Sequence, residues 1–194
     1  SFNRAHLAHF VAFTQAAFTR MQHEHIRHLV IDIRANAGGD DAMWLDGLMP
    51  YLATTPYRTG SSAVKRVLRA DPERGERVGQ IIHTQIATWR EPQPDQPARF
   101  TGKVDVAIGP LTYSSSVLFA NVMQDFGFAT LVGTGGAARR SQSGGGYGVP
   151  LPQSGITLWI PRFVLDPPLG APKGALLNVQ APWDRRAAPA CQAL

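Results

Sequence analysis

The chain has 194 residues, of which 44% are hydrophobic and 17% charged. That is the balance of a globular protein, able to bury roughly 70% of its unfolded surface in one domain, and it excludes a disordered segment. The net charge of +5 comes from 19 Lys and Arg against 14 Asp and Glu; the basic residues are scattered and not interleaved with aromatics, which argues for a solvated surface and no nucleic-acid partner. No run approaches the roughly 20 apolar residues of a membrane span, no secretory signal opens the chain, and a lone Cys191 excludes a disulfide framework and a cysteine metal site.

The first expected element is a helix over about residues 3–25. Leu7, Phe10, Val11, Phe18 and Met21 recur there at helical steps behind a capping Asn3. The β-branched run His28-Leu-Val-Ile-Asp-Ile-Arg34 predicts a strand and Ala35-Asn-Ala-Gly-Gly39 a turn. Asp40 or Asp41 then caps a helix through Met43, Trp44, Leu45 and Leu48. Strand, Gly-rich turn and helix in that order mark an α/β unit with its functional loops at the strand ends. Residues 63–68 read as a strand. The spacing of Val78, Ile81, Ile82, Ile86 and Trp89 predicts a helix over 73–89, and the Pro- and Gln-rich 91–97 a surface loop.

Val104-Asp-Val-Ala-Ile108 reads as a buried strand, and Val117, Leu118, Phe119, Val122 and Met123 as the stripe of the helix after it. A short strand over 129–132 leads into two Gly-rich segments, 133–136 and 142–148, expected as loops. Residues 156–160 and 162–165 form a late strand or pair, and a Pro- and Ala-rich tail follows Pro167.

Ser114, Ser115 and Ser116 fall at the strand-to-helix junction, near free backbone N–H groups and the positive end of a helix dipole. Two readings are open there: a nucleophile with part of an oxyanion hole, or plain capping residues. Asn36-Ala-Gly-Gly39 is not followed by Lys-Ser/Thr, so it is no P-loop. Its glycines either present a backbone N–H to a developing oxyanion or make an ordinary turn. His23, His25 and His28 are spaced by two and three, where a helical zinc pair needs four. His6 and His9 have no third ligand nearby, and His83 lies on no motif.

Taken together, two segments resemble the C-terminal-processing (tail-specific) serine peptidases and their tricorn-core and retinoid-binding-protein relatives. Leu29-Val-Ile-Asp-Ile-Arg-Ala-Asn-Ala-Gly-Gly39 is similar to that family's first signature, and Thr112-Tyr-Ser-Ser-Ser116 with Phe119-Ala, Gln124-Asp, Gly127 and Leu131-Val-Gly133 to its nucleophile segment. Tyr147-Gly-Val-Pro-Leu-Pro-Gln-Ser-Gly155 and Ala181-Pro-Trp-Asp184 resemble later landmarks. The resemblance implies an α/β superhelix core of the Clp protease/crotonase type, one peptidase-like domain over 1–194 without a PDZ module, as the C-terminal part of a longer protein. It implies Ser114 as nucleophile, an oxyanion N–H from Ser115, and a second from Gly38 or Gly39. It implies a peptide or protein substrate, no metal or organic cofactor, and a periplasmic or secreted location.

One departure stands out. The family's lysine base lies about 25 residues beyond the serine; Arg139 falls there, or Ala137 or Ala138 with a shifted gap, and Val117 replaces the glutamate after the serines. An arginine has no accessible neutral form to accept a proton. The base is then a histidine from outside this chain, or His83 or an N-terminal histidine brought close by folding. Otherwise the protein is an inactive relative that binds a peptide or other ligand. A crotonase-type acyl-CoA enzyme shares the superfold and is a third reading.

Overall fold

The computed structural model describes residues 4–133, 139–172 and 174–179. Asn3, Ala137, Ala138, Lys173, Ala181-Pro-Trp-Asp184 and Cys191 lie outside them. At the centre is a parallel three-stranded sheet in the order β1-β4-β5, made of β1 (His28–Asp32), β4 (Lys103–Ile108) and β5 (Thr130–Gly133). His28 pairs with Lys103 and Asp32 with Ala107, while Asp105 pairs with Thr130. Parallel strands need covered faces, and the cover comes from α1 (Arg4–His23), α2 (Ala42–Gly47), α3 (Met49–Leu52) and α4 (Ser115–Asp125).

Helix α4 is the axle of the core. Val117, Ala120, Val122 and Met123 have no exposed surface, and its polar Ser115, Ser116 and Asn121 are buried as well. Around it, Phe18 stacks on Tyr51 with ring centroids 4.3 Å apart, and Trp44 packs against Phe119. α1 approaches α2 so closely that a Cβ on Gly47 would lie 2.5 Å from the Phe10 ring. Only glycine fits there.

A second, antiparallel sheet runs β3-β2-β9-β6, from β3 (Ile81–Gln85), β2 (Ser62–Arg66), β9 (Phe163–Leu165) and β6 (Gln142–Gly144). A separate hairpin pairs β7 (Tyr147–Pro150) with β8 (Thr157–Ile160).

The expected helix over 73–89 is not formed. Pro72–Arg74 makes one 3₁₀ turn, Gly75 and Gly79 take positive φ of 65° and 85°, and the chain then runs as β3 against β2. Two left-handed glycines end any helix, and the apolar residues read as a helical stripe are largely exposed: Val78 by 68%, Ile81 by 53% and Trp89 by 46%. The Gly-rich stretch expected as a loop over 142–148 instead supplies β6 and the start of β7. Gly144 is used because a Cβ there would fall 2.6 Å from the Phe163 ring on the neighbouring strand.

Candidate active site

β4 ends at Ile108, and the chain turns through 109–113 to deliver Ser114 as the N-cap of α4. Ser114 has φ 55° and ψ −125°. Such a conformation costs a residue with a side chain about 1–3 kcal/mol and persists only where the surroundings impose it. Three contacts do so. The Ser114 N–H donates to Oε1 of Gln142 at 2.8 Å, the Ser114 carbonyl accepts from the N–H groups of Val117 and Leu118, and Gly38 presses against the residue from the other side. The Ser114 side chain makes no cap bond to the helix, so capping does not describe it. Its Oγ has no partner among the described residues. Ser115 supplies the first N–H of α4, which no carbonyl inside the helix can reach.

The Gly-rich loop after β1 is latched to this junction. Thr112, 2% exposed, donates its hydroxyl to the Ile33 carbonyl at 2.8 Å and accepts from the Gly109 N–H at 2.9 Å. Tyr113 N–H donates to the Asn36 carbonyl at 3.2 Å. Within the loop, Asp32 grips Arg34 in a two-pronged pair, which raises the guanidinium pKa above its ordinary value through that hydrogen bond. Asn36 Oδ1 accepts from the Gly38 N–H at 2.9 Å. Of the two candidate oxyanion donors, Gly38 is therefore engaged, and Gly39 has an N–H with no acceptor among the described residues. Gly38 serves instead to let the two loops close together, since a Cβ on it would lie 2.8 Å from Ser114 Cβ and 2.9 Å from the Ser115 nitrogen.

Ser115 points its hydroxyl away from Ser114. It donates to Asp41 in a short hydrogen bond and accepts from Trp44 Nε1 at 3.0 Å. Beside this cluster opens a cavity of about 240 Å³, walled by Phe10, Ile33, Met43, Trp44, Leu48 and Phe119 and lined as well by Gly38, Gly39 and Ser115.

Arg139, on the segment expected to carry the base, is tied to Ser114. Gln142 makes the tie: while Oε1 holds the Ser114 N–H, Nε2 donates to the Arg139 carbonyl at 2.5 Å. Arg140 pins the same segment to the end of α4, donating to Asn121 Oδ1 at 2.9 Å and pairing with buried Asp125. Arg139 itself has an exposed side chain. Among the described residues no histidine is hydrogen-bonded to Ser114 Oγ. His83 lies on β3 in the row His83, Val64, Val164, Ser143, three strand spacings from β6, or about 14 Å. His28 sits at the far end of the parallel sheet, bonded to Asp105 at 2.7 Å. Lys103 shares that Asp105, and Lys65 is paired with Glu76.

Ser114, Ser115 and the glycine loop are marked as site residues by the sequence, whereas the parts played by Gln142, Thr112 and Asp41 are not. Gln142 Oε1 reaches across 28 residues of chain to a backbone N–H, and no local pattern announces such a contact.

A parallel sheet whose strand ends present a strained serine at a helix N-terminus, faced by a Gly-Gly turn, defines a mixed α/β core with one candidate site. The model of peptidase family S41 matches residues 6–154, and the chain belongs to that family. Among solved structures it is similar to the photosystem II D1 C-terminal processing protease, at 18% identity and a TM-score of 0.54 over 93% of this chain and 41% of that one. It is also similar to mature CPAF, at 17% identity and a TM-score of 0.58 over 88% of this chain and 41% of that one. A lipoprotein from Streptococcus agalactiae shares the fold at 11% identity and a TM-score of 0.55, over 94% of this chain and 58% of that one. The chain thus spans well under two thirds of each of these structures. No curated protein matches it.

Proposed function

We propose that this chain is the nucleophile-bearing core of a serine peptidase acting through an acyl-enzyme. Ser114 Oγ adds to the carbonyl of a peptide bond and passes its proton to a base. The tetrahedral oxyanion is held by the N–H groups of Ser115 and Gly39. The C–N bond breaks as the amine leaves with a proton, and water then cleaves the Ser114 ester. Preorganised N–H donors of this kind are each worth about 10²–10³ in rate. The observation that carries the reading is the backbone of Ser114: a forced positive φ that costs stability, with the hydroxyl left free beside an unpaired helix N–H.

The base comes from outside the described residues on this reading, since none of their histidines or lysines is hydrogen-bonded to Ser114 Oγ and His28, Lys65 and Lys103 are engaged elsewhere. That same observation favours a second reading, a family member that keeps the groove and binds peptide without cutting it. A fluorophosphonate probe on the full-length protein decides between them. Labelling that disappears in Ser114→Ala supports the peptidase; a folded full-length protein that takes up no probe leaves the binding scaffold. The family match speaks for peptide chemistry over the acyl-CoA alternative.

A further inference from the structure

We propose that the cavity beside Ser114 receives the side chain on the acyl side of the cut, and that it selects a bulky uncharged residue: leucine, methionine or phenylalanine. The inference rests on Ser114 being the attacking serine, because that places the substrate carbonyl between Ser115 and the Gly38–Gly39 turn, which line the cavity.

Size comes first. The cavity holds about 240 Å³, whereas an apolar cavity of roughly 150 Å³ already accepts a benzene ring. An alanine would leave most of it empty.

The walls come next. Phe10, Ile33, Met43, Leu48 and Phe119 offer only carbon or sulfur, and Phe10 is held in place by its contact over Gly47. Of the polar groups that line the space, the Gly39 N–H and the Ser116 hydroxyl are open among the described residues, and three side-chain oxygens are engaged within the protein. Asn36 Oδ1 holds the Gly38 N–H, Ser115 Oγ lies between Asp41 and Trp44 Nε1, and Asp40 Oδ1 accepts from the Ala42 N–H at 2.8 Å. A charged side chain entering here would lose its water. A lysine would regain only the exposed Asp40 of the lining, and an acidic side chain would meet that carboxylate and Asp41, bonded to Ser115 Oγ, with no lining cation to offset them. Each carbon atom buried in the cavity is worth about fourfold, so leucine, with three more carbons than alanine, should gain about fiftyfold.

The test uses the full-length protein and two readouts on one peptide sequence that varies only at this residue: Ala, Leu, Phe, Glu or Lys. Calorimetric affinity for the product-like peptides ending there needs no turnover; kcat/KM for the matching internally quenched substrates reports selection in the reaction. Leu should exceed Ala by about fiftyfold and Phe by at least as much, with Glu below Ala and Lys below Leu. Leu48→Trp, which fills the cavity, should cut the Leu-to-Ala ratio by tenfold or more. Phe10→Ala, which enlarges it, should shift preference from Leu toward Phe. Equal binding across the series, Glu or Lys matching Leu, or unchanged ratios in both variants would overturn the proposal. Probe labelling of Ser114 is measured alongside. Labelling with a flat series rejects the pocket and spares the peptidase; graded binding without labelling does the reverse.

Discussion

Replacing Gly38 by alanine tests whether the two loops set the geometry of Ser114. Gly38 has φ 98°, and the new Cβ would lie 2.8 Å from Ser114 Cβ, 2.8 Å from the Tyr113 carbonyl oxygen and 2.9 Å from the Ser115 nitrogen, where ordinary contacts begin near 3.4 Å. Two of these three atoms are backbone and cannot rotate away. The backbone conformation costs about 1–2 kcal/mol and the overlap about 1–3 kcal/mol more. At about 2–4 °C per kcal/mol for a domain of this size, the melting temperature should fall by roughly 5–20 °C. Relief of the overlap must push the N-terminus of α4 away by some half an ångström, carrying Ser114 and the Ser115 N–H with it. Displacements on the order of 1 Å cost about 10²-fold in rate, so probe labelling of Ser114 should slow by about tenfold to a hundredfold. Gly75→Ala is the control, because Gly75 also has positive φ, 65°, but nothing lies within 4 Å of its Cβ position. It should lose about 1–2 kcal/mol and label at the wild-type rate. If Gly38→Ala melts no lower than Gly75→Ala and labels as fast as wild type, the claim that Gly38 buttresses the nucleophile is wrong.

Three further outcomes follow from the same contacts. Gln142→Leu orphans the Ser114 N–H and the Arg139 carbonyl, at about 1–3 kcal/mol each; denaturant unfolding should show the loss, and labelling should slow at least tenfold, with Gln142→Glu intermediate because it keeps the acceptor. Thr112→Val removes the hydroxyl between Ile33 and Gly109 and should lower the melting temperature by about 5–15 °C, while Thr112→Ser restores most of it. Burial raises the phenol pKa of Tyr51 and Tyr57 above the ordinary 10.0. The unfolded chain therefore ionises first, so their contribution is whole below pH 10 and lost as pH climbs through the folded values. Urea midpoints should hold up to about pH 9 and fall above pH 10, and Tyr57→Phe should flatten that fall; an unchanged slope would reject the linkage.

How much of this was legible in the sequence depended on whether the signal was local. β1 and β4 declared themselves because their β-branched runs are short and bounded, and α4 because its apolar residues recur at helical steps. The strand-to-helix junction offered Ser114, Ser115 and Ser116 alike, and only the family resemblance singled out Ser114. Residues 73–89 misled because Val78, Ile81, Ile82, Ile86 and Trp89 fit a helical period by chance, while the decisive features were the backbone needs of Gly75 and Gly79. β6 hid among glycines, since its place is fixed by Phe163 on β9 and not by any strand preference of its own. The contacts of Gln142, Thr112 and Asp41 were invisible because each acts on backbone or hydroxyl groups brought close only by the parallel sheet.

The reach of Gln142 to Ser114 also bears on when the serine becomes reactive. β1 finds its partner only after the chain has been made as far as β4, and Gln142 lies beyond both. A chain emerging from synthesis therefore has Ser114 before it has the contacts that hold its positive φ. Until Gln142 arrives, nothing in the chain holds the Ser114 N–H, and pairings far apart in sequence must first overcome the entropy of loop closure. On the proposed reading of Ser114 as nucleophile, the order of the chain keeps it unassembled while nascent polypeptide, its own included, lies exposed beside it.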